Sequence, residues 1–168
     1  MKDNSVKKLT LAGILSAFAV IGSLISFPIF GSKCAPVQHF VNIIAAVFLG
    51  PWYALGIAFV SSLLRNLLSL GTVLAFPGSI FGAFIAGLVF KKTKNIILTC
   101  FGESFGTGII GALFAYPLAR LFFGKMAGDI AFYSYIIPFL ISTIVGSVIA
   151  GVIILGLEKS KIVNLHLE

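Results

Sequence analysis

Residues 31–42, GSKCAPVQHFVN, hold Lys33, Gln38, His39 and Asn42 in one short span between two long apolar runs. Polar groups at hydrocarbon depth are costly and persist where they line a cavity, pair with one another or touch a ligand, so this stretch reads as one wall of a binding site. A membrane-surface loop is the competing reading, and it suits Lys33 best. Gln38, His39 and Asn42 follow Pro36 into the next apolar segment and are the stronger candidates. Glu103 lies inside a further apolar run, with Thr107 one helical turn on along the same face. An ionised carboxylate there needs a partner, and Arg65, with Asn66 beside it, is the leading candidate as the only other strong charge placed well inside a helix. Such a pair is either structural or part of a ligand or proton site, and burial is also able to keep Glu103 neutral. Phe76, Tyr116 and Tyr135 would supply aromatic walls against a flat ring. The tyrosines, Tyr133 above all, equally suit an interfacial belt.

Other chemistries lack their residues. The sequence contains no GxxxxGK[ST] phosphate loop, HExxH or CxxC, so neither nucleotide hydrolysis nor a familiar metallohydrolase mechanism has a seat here. Cys34 and Cys100 are the only cysteines, too few for a disulfide framework or a zinc site. We therefore expect no enzyme activity, no metal and no cofactor.

The elements that must position these groups follow from composition. Of 168 residues, 59% are hydrophobic and 10% are charged, which is the profile of an integral membrane protein. At about 20 residues per span the chain has room for five to seven helices and almost no soluble domain. Apolar runs and breakers predict one all-α membrane domain over 1–168, with helices at 9–30, 36–50, 51–70, 78–90, 96–116 and 135–157. The first is read as a retained helix rather than a signal peptide, because its apolar run is too long and no clear cleavage site follows. Pro117 is expected to end or kink the fifth, leaving 118–134, with Arg120, Lys125 and Asp129, as a loop or interfacial segment. His166 falls in a short tail.

The second and fourth helices look too short to cross alone, which suggests that the loops before them dip inward to wall a pocket. Lys2, Lys7, Lys8, Lys91, Lys92, Lys94, Lys159 and Lys161 fall on one side, against Lys33, Arg120 and Lys125 on the other. Both termini should therefore be cytoplasmic and the pocket should open outward. The net charge of +7 is then explained by orientation and anionic lipid rather than nucleic acid. On the first helix Ala12, Ser16, Ala19 and Ser23 share a face of small residues, suited to packing within this chain or against a partner. The Gly78/Gly82 and Gly102/Gly106 pairs mark tight helix contacts.

The runs APVQHFVN, FLGPWYALGIAF, LLRNLL and GTVLAFPGSIFGAFIAG, between Cys34 and Gly87, resemble the ThiW family, substrate-binding S components of energy-coupling-factor (ECF) vitamin transporters. The resemblance implies a six-helix protein of the bacterial cytoplasmic membrane. Such a protein captures a thiamine precursor, 4-methyl-5-(2-hydroxyethyl)thiazole, from outside and docks on a transmembrane coupling subunit with two cytoplasmic ATPases. The family's docking motif, Ala-x-x-x-Ala on helix one, is matched only as Ala12-x-x-x-Ser16 or Gly13-x-x-x-Ala17. No binding residue is carried over from the family. The expected ligand-binding set remains Gln38, His39, Asn42, Arg65, Asn66, Phe76, Glu103, Thr107, Tyr116 and Tyr135, and Lys33 and Arg120 near the mouth leave room for a phosphate. A stand-alone carrier or channel, which would use Glu103 as a proton site, and a membrane enzyme are the rival readings.

Overall fold

The computed structural model describes residues 2–29, 32–124, 131 and 133–163; Lys125, Asp129 and His166 lie outside them. Among the described residues six helices run back and forth: α1 Lys2–Gly22, α2 Pro36–Phe48, α3 Pro51–Leu67, α4 Pro77–Thr93, α5 Ile96–Phe123 and α6 Ile136–Lys159. Lys8, Lys91 and Lys94 meet the α2–α3 turn at one end of the bundle. Lys33, the end of α3 and the start of α4 meet at the other.

The bundle is built inside out relative to a soluble protein. Along α6, Ile137, Ile144, Val148, Ile149 and Val152 are exposed, while Ser142, Thr143, Gly146, Ser147, Ala150 and Gly151 are buried. Small inward residues allow close helix approach, and branched apolar ones face lipid, where burial from water is not the driving force. The stretches Ser5–Gly22, Val73–Thr93, Ile96–Phe123 and Ile136–Lys159 are each long and apolar enough to cross a membrane. α3, with 17 residues, is shorter than these, and α2 is shorter still, with 13 residues and a length of about 20 Å. It is also the hub, packing against α1, α3, α4, α5 and α6. Gly50, at φ 87°, adopts a backbone conformation that side chains resist, so the chain reverses at once into Pro51 and α3.

Three expected boundaries are corrected. The first helix ends at Gly22 rather than 30, and the chain then forms a short antiparallel hairpin, Phe27–Ile29 (β1) against Ser32–Cys34 (β2). Pro28 has no N–H for a helix and steers the residue before it towards extended backbone. The hairpin's return is pinned to α6, where the Cys34 thiol donates to the Pro138 carbonyl at 3.1 Å and the Ala35 N–H to Ser142 Oγ at 2.9 Å.

The fourth helix is not short. With the 3₁₀ turn Val73–Ala75 ahead of it, it forms a stretch of 21 residues, because Pro77 sits at N1, where its missing N–H costs nothing. The fifth continues through Pro117 to Phe123, so 118–123 is helix and not loop. A π segment, Gly106–Gly111, interrupts α5 midway. It falls where α5 presses on α4, since a side chain on Gly82 would collide with Thr107 Oγ1 and one on Gly106 with the Gly82 backbone. The expected tight glycine contacts are located here.

Candidate substrate site

The polar residues of the core form two layers. The deeper one is a knot around Glu103, which is fully buried. Oε1 accepts from His39 Nδ1 at 2.8 Å, Asn42 Nδ2 at 3.1 Å and Thr107 Oγ1 at 3.1 Å, and Oε2 accepts from Ser147 Oγ at 3.3 Å. Three helices, α2, α5 and α6, supply these groups. α2 and α5 reach the same depth because α2 is short. His39 stands nine residues, about 13 Å, above the lower end of α2, and Glu103 seven residues, about 10 Å, above the start of α5. A carboxylate holding donors on both oxygens is compensated in place.

This arrangement corrects the expected pairing. Arg65 does not reach Glu103, and His39 is its hydrogen-bond partner instead. The hairpin occupies the layer above α2, which sets His39 at the depth of Glu103.

Above the knot lies a cavity of about 40 Å³, lined among others by Lys33, Gln38, His39, Arg65, Ser79 and Phe139. Gln38 joins the two layers. Its Nε2 lies 3.2 Å from Asn42 Oδ1 and 3.0 Å from Ser61 Oγ, and its Oε1 accepts from Arg65 Nη1 at 3.4 Å. Ser61 donates onward to the Ile57 carbonyl at 2.7 Å, so it is free to accept from Gln38.

The remaining candidates are placed elsewhere. Asn66 ties down the loop after α3, donating to the Ser62 and Thr72 carbonyls at 2.8 and 2.9 Å, and does not line the cavity. Phe76 turns outward onto Phe59, with ring centroids 5.6 Å apart. Tyr135 stands behind Phe139 at 6.1 Å. Tyr116 packs in the same apolar cluster and carries Arg120 over its ring at 6.0 Å; neither residue lines the cavity. The aromatic wall is therefore Phe139.

Phe139, Ser61, Ser79, Ser142 and Ser147 escaped sequence reading. Ser79 lay in the quoted run GTVLAFPGS, and Ser61 stands one turn from Arg65 on the same face of α3. The serines of α6 carried a weaker signal, since isolated hydroxyls in an apolar helix commonly bond its own carbonyls.

The small residues of α1 divide between two sides. Ala12 and Ser16 turn towards the bundle, at 9% and 7% exposure, as do Ala19 and Ser23, while Gly13 and Ala17 are on the open side. Both pairs border an apolar hollow of about 700 Å³ between α1 and α3, with Trp52, Gly56 and Leu64 on its far wall.

Among the described residues no group of three or more His, Cys, Asp or Glu side chains is placed to hold a metal. The arrangement presents hydrogen-bonding side chains to a small cavity. No curated protein matches the chain. The family described as "Thiamine-precursor transporter protein (ThiW)" matches residues 9–160, nearly the whole chain and every residue of both polar layers. The chain belongs to the ThiW family of thiamine-precursor transporters.

Proposed function

We propose that the chain is the substrate-capture subunit of an ECF-type importer, binding the hydroxyethylthiazole precursor of thiamine on the outer side of a bacterial cytoplasmic membrane. The observation that carries this reading is the cavity at the hairpin end, where α2, α3, α4 and α6 converge polar groups on one apolar-walled space. The opposite end gathers Lys8, Lys91 and Lys94, which favours a cytoplasmic position for it and for both termini. Six crossings follow, with the short α2 completed by the hairpin layer.

Gln38 and His39 would hydrogen-bond the ligand and Phe139 would pack its ring. At about 40 Å³ the cavity has room for little more than a few waters, so capture requires its wall to move outward. The chain lacks a nucleotide-hydrolysis motif, and energy would come from partner ATPases through a coupling subunit docked on the α1–α3 hollow. Gly13→Leu, which fills the open side of that hollow, should abolish co-purification with the coupling subunit and leave ligand affinity unchanged.

Calorimetric titration of the detergent-solubilised protein with hydroxyethylthiazole, thiamine and hydroxymethylpyrimidine tests the assignment. Selective binding of the thiazole supports it, and no binding by any of the three discards it. The buried His39–Glu103 pair favours a second reading, a stand-alone proton-coupled carrier. Accumulation in liposomes containing this chain alone, driven by a pH gradient, would select that reading.

A further inference from the structure

Arg65 is held in surroundings that do not complete it. Its side chain is 4% exposed and charged at any physiological pH. It makes one long hydrogen bond, from Nη1 to Gln38 Oε1 at 3.4 Å, and Nε has no partner. A buried charge without a counter-charge is strongly unfavourable. Among the described residues nothing supplies one. No Asp or Glu lines the cavity, Glu103 is occupied by four donors of its own, and Glu158 stands at the opposite end. The other buried orphan, Thr143 Oγ1, is a neutral hydroxyl outside the cavity lining.

Among the described residues the other charged side chain at the cavity has the same sign, and the carbonyl end of α3, whose last turn holds Arg65, supplies only a partial opposite charge. Lys33 stands at the cavity wall. The first turns of α2 and α4 also reach it through Ala35, Gly78 and Ser79, and neither helix has a side-chain cap, so their amide ends contribute partial positive charge. Gly71 keeps the space beside Arg65 clear, since a β-carbon there would lie 3.3 Å from Arg65 Cβ and 3.6 Å from Nε.

We propose that the cavity takes its ligand as an anion, with Arg65 gripping a phosphate monoester or carboxylate attached to the thiazole. This rests on the thiazole reading above and narrows it to a charged form. A guanidinium edge offers parallel N–H donors that match two oxygens of either group, and the ligand would supply the counter-charge that the described residues do not.

The test is titration of the full chain with four probes: hydroxyethylthiazole, its phosphate monoester, the corresponding thiazole carboxylate and inorganic phosphate. At least one thiazole anion should bind about tenfold or more tighter than the neutral alcohol, the effect of one charge-assisted hydrogen bond; the tighter of the two identifies the group. Arg65→Gln should erase that preference and Arg65→Lys should restore part of it. An alcohol that binds as tightly as both anions overturns the proposal and leaves the thiazole reading standing. Binding of inorganic phosphate that depends on Arg65, with no response to any thiazole, supports the anion site and removes the thiazole; silence from all four overturns both. The ligand-free melting temperature of Arg65→Gln should equal or exceed that of the parent protein, because an unpaired buried charge has been removed. A fall would mark Arg65 as a structural residue and sink the proposal.

Discussion

Glu103 and Arg65 each bury one charge in the same bundle, and the protein treats them in opposite ways. Glu103 has four donors on two oxygens, whereas Arg65 has one long bond and an orphaned Nε. Glu103 is sealed among α2, α5 and α6, while Arg65 borders a cavity. A satisfied buried charge fixes the register of the helices that meet on it. On our proposal, an unsatisfied one beside open space is kept for a ligand. The polar core thus divides into a structural layer and a receiving layer, with Gln38 and His39 shared between them.

The largest effect should come from breaking the structural layer. Glu103→Ala leaves His39, Asn42, Thr107 and Ser147 facing a hole and should cost about 3–5 kcal/mol, measured as a lowered unfolding midpoint in detergent. An unchanged midpoint would mean that the knot does not hold the bundle together. Next, Gly82→Ala should cost about 1–3 kcal/mol by driving a methyl into Thr107. Adding Thr107→Ser leaves a hydroxyl in place and should not rescue it; adding Thr107→Gly should rescue part of it, since the Glu103 carbonyl oxygen still lies 3.0 Å from the new methyl, and that coupling locates the contact.

Arg65→Gln sharpens the contrast by reversing the sign, with stability held or raised and affinity lost. The smallest effect separates two aromatic residues. Phe139→Ala should weaken ligand binding several-fold, on the order of 1 kcal/mol, whereas Phe76→Ala, on the outward-facing Phe59 contact, should leave affinity unchanged. Equal losses for the two would move the ring site towards the start of α4.

Much of the helix inventory was legible because its signals are local. Pro36 and the Gly50–Pro51 junction mark helix starts through the chemistry of a missing N–H, and the shortness of α2 followed from them. Boundaries failed where a local breaker was overruled. Pro117 lies within a helix that continues past it, as membrane helices allow when neighbouring groups take up the freed carbonyl. In the opposite direction, the uncharged run to 30 contained Pro28, and the hairpin prevailed over apolar continuity.

The sequence by itself determined which residues are expensive to bury: Gln38, His39, Asn42, Arg65 and Glu103 stand out in a chain with so few charges, because hydrocarbon penalises each one regardless of fold. It also determined the inverted periphery, since the apolar surface of α6 is written in its composition. Who satisfies whom was decided only by the tertiary structure. Pairing depends on the relative depth of separate helices, and that depth is set by the hairpin above α2 and by the close approach of Gly82 to α5. Those two contacts put His39 rather than Arg65 on Glu103, and in doing so left Arg65 free to face the cavity.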